Sequence, residues 1–312
     1  MKTAERKLRI GQNALLGAVL LAIFGVVSVL EPTFASGRNL QNILQQTAVL
    51  GIASLGMTAL MISGGLDLSI GKVIGLSACI VTTLVSRGRS LSFALLAGFA
   101  AAVACGFING VLIAKSGGYP FVITLGTMTV YGGVSLLITN GESHSLKSAF
   151  QFLGQGNLGI FPVSTLLWVL MAILAYFALR YSKFGRTLYM LGGNERAAFY
   201  SGVKIAVSRA AVYTLNGAIV GIASLVLVSR FGSAVPATGE GYELRAIAAV
   251  VIGGASLFGG RGSVIGCILG TILMGIISNA LNALNVSYFY QGLILGVVII
   301  GASIVSTWGG KK

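Results

Sequence analysis

Charge is what this sequence lacks. Only 9% of its 312 residues are Asp, Glu, Lys or Arg, against about 25% in soluble domains, too few to coat a water-soluble globule of this size. Acid is scarcest, with seven Asp and Glu against 21 Lys and Arg. Histidine occurs once, as His144 in a polar stretch, and one imidazole cannot build a metal cluster. Cys79, Cys105 and Cys267 lie singly in apolar runs with no CxxC pair; they read as buried small hydrophobes and leave the redox compartment open. The chain has no GxxxxGK[ST], so the Gly-rich "GGRGS" at 259–263 lacks the lysine of an ATP-phosphate cradle. It also has no GxSxG and no HExxH. A single acid within the apolar runs supplies neither a carboxylate pair nor a Ser-His-Asp set. No catalytic or metal site is expected, and the chain does not read as an enzyme.

Apolar residues fill the space that charge leaves. They make up 55% of the chain, whose mean hydropathy is +0.92, a balance expected of an all-α polytopic membrane protein. The basic start "MKTAERKLRI" leads into an uncharged run to Leu30, about 30 Å long as a helix and too long for the core of a signal peptide. Charges and polar clusters divide the chain into about ten spans: 11–30, 45–63, 70–86, 91–114, 120–139, 163–180, 209–229, 244–260, 263–283 and 288–307. The third and eighth are the ones that could be short, broken or re-entrant. One transmembrane domain, 1–312, is expected, with no soluble domain attached. If the N-terminus lies inside and the spans alternate, fifteen basic residues fall inside and six outside: Arg38, Arg87, Arg89, Lys147, Arg230 and Arg245. That asymmetry follows the positive-inside bias and puts both termini in the cytoplasm. It accounts for the net charge of +14 better than nucleic-acid binding does.

There are 45 glycines, about twice the usual share. Gly71/Gly75, Gly106/Gly110, Gly217/Gly221, Gly266/Gly270 and Gly292/Gly296 stand four apart, a spacing that lets helix backbones approach closely in lipid. A faint repeat relates "GRSLSFALLAGFAAAVACGFING" at 88–110 to "GRGSVIGCILGTILMGIISNA" at 260–280. Asn109 and Asn279 precede Leu125–Gly126 and Leu295–Gly296 by the same step. The copies lie five spans apart and would run in opposite directions, as in transporters built from inverted repeats.

Two stretches carry functional information. In "MISGGLDLSIGKVIGL", 61–76, Asp67 follows the pair Gly64–Gly65 between apolar runs. The glycines suit a break in a helix, which membranes tolerate where protein or a water-filled cavity covers the backbone. Asp67, helped by Ser69, either caps a helix starting near Leu68 or serves the solute path. The second stretch is the inside loop 181–208; the other long loop, 140–162, falls outside. Within the inside loop, "GNERAAFYSGV" reads as a short helix closed by Gly202, either a docking surface or a solvated basic loop.

With these residues in view, the chain resembles the permease subunits of bacterial ABC sugar importers, in the branch that includes the ribose and autoinducer-2 permeases. The likeness runs over about 38–307. It is carried by "NILQQTAVLGIASLGMTALMISGGLDLSIGKVIGL", "YPFVITLGTMTVYGGVSLLITNG", "FGRTLYMLGGNERAAFYSGV" and "FGSAVPATGEGYELRAIAAVVIGGASLFGGRGSVIG". Ala197, Ala198 and Gly202 match the A-A-x-x-x-G core of the coupling loop; Arg196 stands where the general motif has Glu, with Glu195 one step earlier. Arg245 stands where ribose-type relatives usually carry Asp. The resemblance implies a permease of the bacterial inner membrane that pairs with a second permease as a homo- or heterodimer. It also implies two ATP-binding cassette subunits, which hold the ATP and Mg, and a periplasmic sugar-binding protein. It places coupling on Gly193, Asn194, Glu195, Arg196, Ala197, Ala198 and Gly202. The translocation core is expected at Gly64, Gly65, Asp67, Ser69, Asn109, Thr124, Gly126 and Thr127. A stand-alone secondary carrier is the rival reading, weakened by the lack of a proton or sodium relay; which sugar is carried is not legible.

Overall fold

A computed structural model of the chain describes residues 2–146 and 150–287 and, beyond them, 290, 292–294, 296–297 and 300–301, with side chains from Asn13 onward. The chain is helical nearly throughout. The helices are α1 (Lys2–Leu30), α2 (Gly37–Ile62), α3 (Ile70–Ser86), α4 (Leu91–Ser116), α5 (Pro120–Thr139), α6 (Phe152–Gln155), α7 (Val163–Tyr181), α8 (Lys183–Gly193), α9 (Glu195–Tyr200), α10 (Ile205–Phe231), α11 (Tyr242–Ile252) and α12 (Val264–Ala283). Two-residue strands form two small ladders, β1 (His144–Ser145) with β4 (Ser233–Ala234) and β2 (Asn157–Leu158) with β3 (Phe161–Pro162).

Among the described residues seven helices are long and apolar enough to cross a membrane: α2, α4, α5, α7, α10, α12 and the Asn13–Leu30 part of α1. The spans expected at 70–86 and 120–139 coincide with α3 and α5. With 17 residues, α3 falls short of a full crossing, and α11 has 11. The span expected over 244–260 is therefore corrected. Its helix stops at Ile252 because the chain turns at Gly253 and at Gly254, whose φ is +87°. Amides of Gly254 and Ala255 close that turn on the carbonyls of Val251 and Val250. The tenth expected span, 288–307, lies mostly outside the described residues.

Helix ends gather at two levels. At one, β1 pairs with β4, α6 packs on α10, and Asn39 and Asn279 exchange side-chain amide bonds of 2.9 and 3.1 Å. At the other, the Ile62 carbonyl that ends α2 accepts the Gly260 amide at 2.9 Å. Gly192 of α8 lies so close to that carbonyl that a Cβ would overlap it. Thus α2 and α8 end, and the α11–α12 turn sits, at the same level, called here the α8 end; the opposite level is the ladder end.

The centre of the bundle is α2. Every residue from Thr47 to Ile62 is buried, the state of a helix that is apolar all round and enclosed by others. Its neighbours are α7, α10, α11 and α12. The outer helices expose large apolar side chains such as Leu21, Val29, Leu96 and Leu137, where hydrocarbon is the solvent. The most extensive pairing, α4 with α10, is made by Gly106 and Gly110 against Gly217 and Ala210. On α12, Gly266 and Gly270 meet the backbone of Gly253 and Ala249. Four of the five spaced glycine pairs thus sit where a side chain would clash, while among the described residues nothing approaches Gly292 or Gly296.

Candidate functional site

The interruption between α2 and α3 is built by glycine and held by a polar cluster. Gly64 has φ +79°, a left-handed conformation that glycine adopts without steric cost. Its amide bonds to the Met61 carbonyl and that of Gly65 to Leu60, ending α2. A Cβ on Gly65 would lie 3.0 Å from the Tyr213 hydroxyl. That hydroxyl accepts the Leu66 amide at 3.1 Å and donates to the Leu66 carbonyl at 2.9 Å, so the unwound strand is tied to α10. From α5, Thr124 Oγ1 accepts the Leu68 amide at 3.2 Å.

Asp67 is 2% exposed. Its Oδ1 accepts the Ser69 amide at 2.9 Å and the Ser69 hydroxyl at 2.6 Å. Asn216 of α10 donates to Oδ2 at 3.0 Å. Asn109 of α4 approaches both carboxylate oxygens at 3.4 and 3.5 Å and donates to Ser69 Oγ at 2.9 Å. The Tyr131 hydroxyl fixes the Asn109 amide by donating to its Oδ1 at 3.0 Å. Among the described residues the ion pairs are Lys72–Glu240 and Arg209–Glu195, so the carboxylate is held by neutral donors. A buried charge without a counter-ion needs such donors, and here they tie the start of α3 to α4 and α10.

The expectation of Asp67 as a cap on a helix from about Leu68 is adjusted accordingly. The helix starts at Ile70 with Ser69 at its N-cap position, and Asp67 closes the turn ahead of it while binding two other helices. Of the residues expected in the core, Gly64, Gly65, Asp67, Ser69, Asn109 and Thr124 come together. Thr127 lies one turn further along α5, buried, with its hydroxyl on the Thr124 carbonyl. Gly126 is not brought in: it lies on the exposed side of α5 with nothing within 4 Å of a Cβ. Tyr131, Tyr213 and Asn216 were missed in the sequence. The last had a visible signal, an amide among small and apolar residues in "VYTLNGAIVGIAS".

A second interruption faces the first. After β4 the chain runs through 235–241 to α11, and this stretch lies along α3: a Cβ on Gly75 would meet the Thr238 carbonyl, and one on Gly71 the Gly239 carbonyl and Glu243 carboxylate. Both short helices therefore begin side by side, inside the bundle. Lys72 and Glu240 pair across the junction at 3.6 Å.

At the α8 end, Asn194 caps α9 by accepting the Ala197 amide at 3.0 Å. Gly202, with φ +83°, closes it, and the Val203 amide returns to the Ala198 carbonyl. Glu195 pairs with Arg209 of α10, which pins the helix. Ala198 faces inward, whereas Gly193, Asn194, Glu195, Arg196, Ala197 and Gly202 are exposed. Phe199 and Tyr200 are 63% and 86% exposed.

Seven apolar crossings, one of them an enclosed central helix, with two shorter helices begun inside the bundle, define a multi-pass membrane protein whose polar backbone is shielded by protein. A family model described as "Branched-chain amino acid transport system / permease component" matches residues 39–303, and the chain belongs to that family. It is 40% identical to the ribose import permease protein RbsC of Bacillus subtilis (strain 168), over 93% of this chain and 90% of that protein. Identity to the Escherichia coli (strain K12) protein of the same name is 37%, over 92% and 91%. A solved structure described as an inward-facing metal-chelate type ABC transporter shares the fold, with a TM-score of 0.54, 18% identity, and coverage of 97% of this chain and 99% of that one. The resemblance to ABC sugar-importer permeases is thereby borne out, and the chain is a transport protein.

Proposed function

We propose that this chain passes a sugar or sugar-like solute inward across the bacterial inner membrane by alternating access, as one of two permeases driven by separate ATP-binding cassette subunits. The observation that carries the energy-coupling part is α9. A six-residue helix, capped at both ends and pinned by Glu195–Arg209, offers two exposed aromatic side chains at the α8 end. Aromatic residues exposed beyond the apolar spans suit a protein contact. In this reading a cassette closing on ATP and Mg pushes Gly193–Gly202. That push reaches α2 through Gly192 and Ile62, and the interrupted helices move as units around the Asp67 cluster.

Both termini lie in the cytoplasm, the ladder end faces a periplasmic sugar-binding protein, and α3–α4 and α11–α12 belong to two inverted halves. The order of a short helix then a long one, in α3–α4 and again with reversed direction in α11–α12, supports that repeat. The sugar class rests on the relatives' names.

Vesicles holding this chain, its candidate cassettes and its binding protein should take up labelled ribose or a related sugar only with ATP at the cassette side. Replacing Phe199 and Tyr200 together by Ala should lower uptake at least about tenfold, a lost hot spot of ~1.4 kcal/mol or more. Uptake by the chain alone, indifferent to ATP and collapsed by a protonophore, would make it a secondary carrier instead.

A further inference from the structure

Between α7 and α12, on the outer surface of the bundle, runs a groove of about 290 Å³. Its walls are Trp168, Ala172 and Tyr176 from α7 and Val264, Ile265 and Ile268 from α12, with no charged side chain among them. Phe177, which also borders it, and Ile265 are 56% and 50% exposed, so the groove opens on the face that meets hydrocarbon. From Trp168 to Phe177 the α7 wall rises about 14 Å, close to half of a hydrocarbon core ~30 Å thick. Tyr181 ends α7 and Val264 opens α12. The mouth of the groove therefore lies at the α8 end, and its depth is that of one leaflet.

That mouth is basic. Arg180, one turn beyond Phe177, donates to the Tyr176 hydroxyl at 2.8 Å, with its guanidinium 5.6 Å from the centres of the Tyr176 and Tyr181 rings. Arg261 stands three residues ahead of Val264 on the other wall, and Lys183 and Arg186 follow on α8; all four are exposed. Arg186 donates to the Tyr181 carbonyl at 3.1 Å, which holds it at the end of α7. No Asp or Glu occurs in 163–193 or 253–264, and none of the four bases is in an ion pair among the described residues. An apolar slot one leaflet deep, topped by cations without acids, is complementary to an anionic amphiphile.

We propose that this groove holds an acyl chain of one anionic phospholipid from the cytoplasmic leaflet, whose phosphate is taken by Arg180 and Arg261. Planar guanidinium forks match phosphate bidentately, and basic pockets between transmembrane helices on the cytoplasmic side suit such headgroups. The Tyr176 and Tyr181 rings stand at headgroup level, as aromatic residues do at a membrane interface. A neutral phospholipid fills the slot equally well but brings no net charge to its mouth. The assignment goes beyond the permease reading and rests on it only for the cytoplasmic placing of the α8 end.

The test is native mass spectrometry of the assembled transporter in detergent, supplied with equal amounts of dioleoyl phosphatidylglycerol and dioleoyl phosphatidylcholine. Phosphatidylglycerol should be retained in preference, and inorganic phosphate should not displace it, because the chain is what fills the groove. Arg180→Gln and Arg261→Gln should each weaken that retention about fivefold, the effect of one basic residue near a membrane surface, and leave phosphatidylcholine binding as it was. Ile268→Trp, which fills the groove with an indole ring, should lose the retained lipid at unchanged assembly mass. Equal retention of the two lipids would assign the groove to bulk lipid and overturn the proposal. So would phosphatidylglycerol retention unchanged in both arginine variants, or its displacement by phosphate. A permease pair that falls apart in Ile268→Trp would give the groove to the second permease instead. ATP-dependent ribose uptake alongside no preference for phosphatidylglycerol would sink this inference and leave the permease reading standing.

Discussion

At the residue scale, the Asp67 cluster is a set of donors arranged around one acceptor. Asp67→Ala leaves the Ser69 hydroxyl and the Asn216 amide without their acceptor, while Asn109 keeps its bond to Ser69 Oγ, and each buried group without a partner costs about 1–3 kcal/mol. Asp67→Asn keeps one oxygen but turns an NH2 towards groups that are themselves donors, so its loss should be smaller. Tyr131→Phe removes the hydroxyl that orients Asn109 and also bonds the Cys105 carbonyl, and should cost about 1 kcal/mol. Thermal midpoints in one detergent should fall in the order Tyr131→Phe, Asp67→Asn, Asp67→Ala, from least to most affected. Full uptake by Asp67→Asn would reduce the carboxylate to a replaceable support. The acid and the two glycines were legible in sequence because Asp67 is the one acid in that run and the adjacent pair Gly64–Gly65 stands just ahead of it. Asn216 and Tyr213 were not, because their partners lie about 150 positions away and no local pattern announces such a pairing.

At the element scale, the two short helices depend on backbone contact. Gly71→Ala would drive a Cβ into the Gly239 carbonyl and the Glu243 carboxylate, and should destabilise the fold by about 1–3 kcal/mol as a small-to-large change in a packed interior. Gly126→Ala meets nothing and should leave the thermal midpoint unchanged or raise it slightly, since alanine suits a helix better. A loss of uptake in Gly126→Ala at full stability would place that surface in the solute path or against the second permease. The ends of α3 and α5 were readable because Arg87 and Pro120 punctuate them. The overrun of α11 has a plain cause: Gly253, Gly254 and the residues after them continue an apolar run, and hydropathy does not register that the backbone has turned. Nor could it show 235–241 lying against α3, where the Thr238 and Gly239 carbonyls meet Gly75 and Gly71.

At the scale of the whole molecule, the orientation is testable because the three native cysteines are free and buried. In the otherwise unchanged chain, a cysteine in place of Glu142 should react with an impermeant maleimide added outside intact spheroplasts. One in place of Arg196 should react only after the membrane is opened; the reverse pattern would invert the topology. The enclosed α2 bears on biogenesis. Of the seven apolar crossings it is the least hydropathic, and its small and hydroxylated residues, among them Gly51, Ser54, Gly56 and Thr58, serve neighbours that the ribosome has not yet made. A nascent chain ending shortly after Ile62 offers lipid a poor partner. Stable insertion of α2 should therefore wait for α10 and α12, so that the innermost helix, among the first synthesised, is among the last to settle.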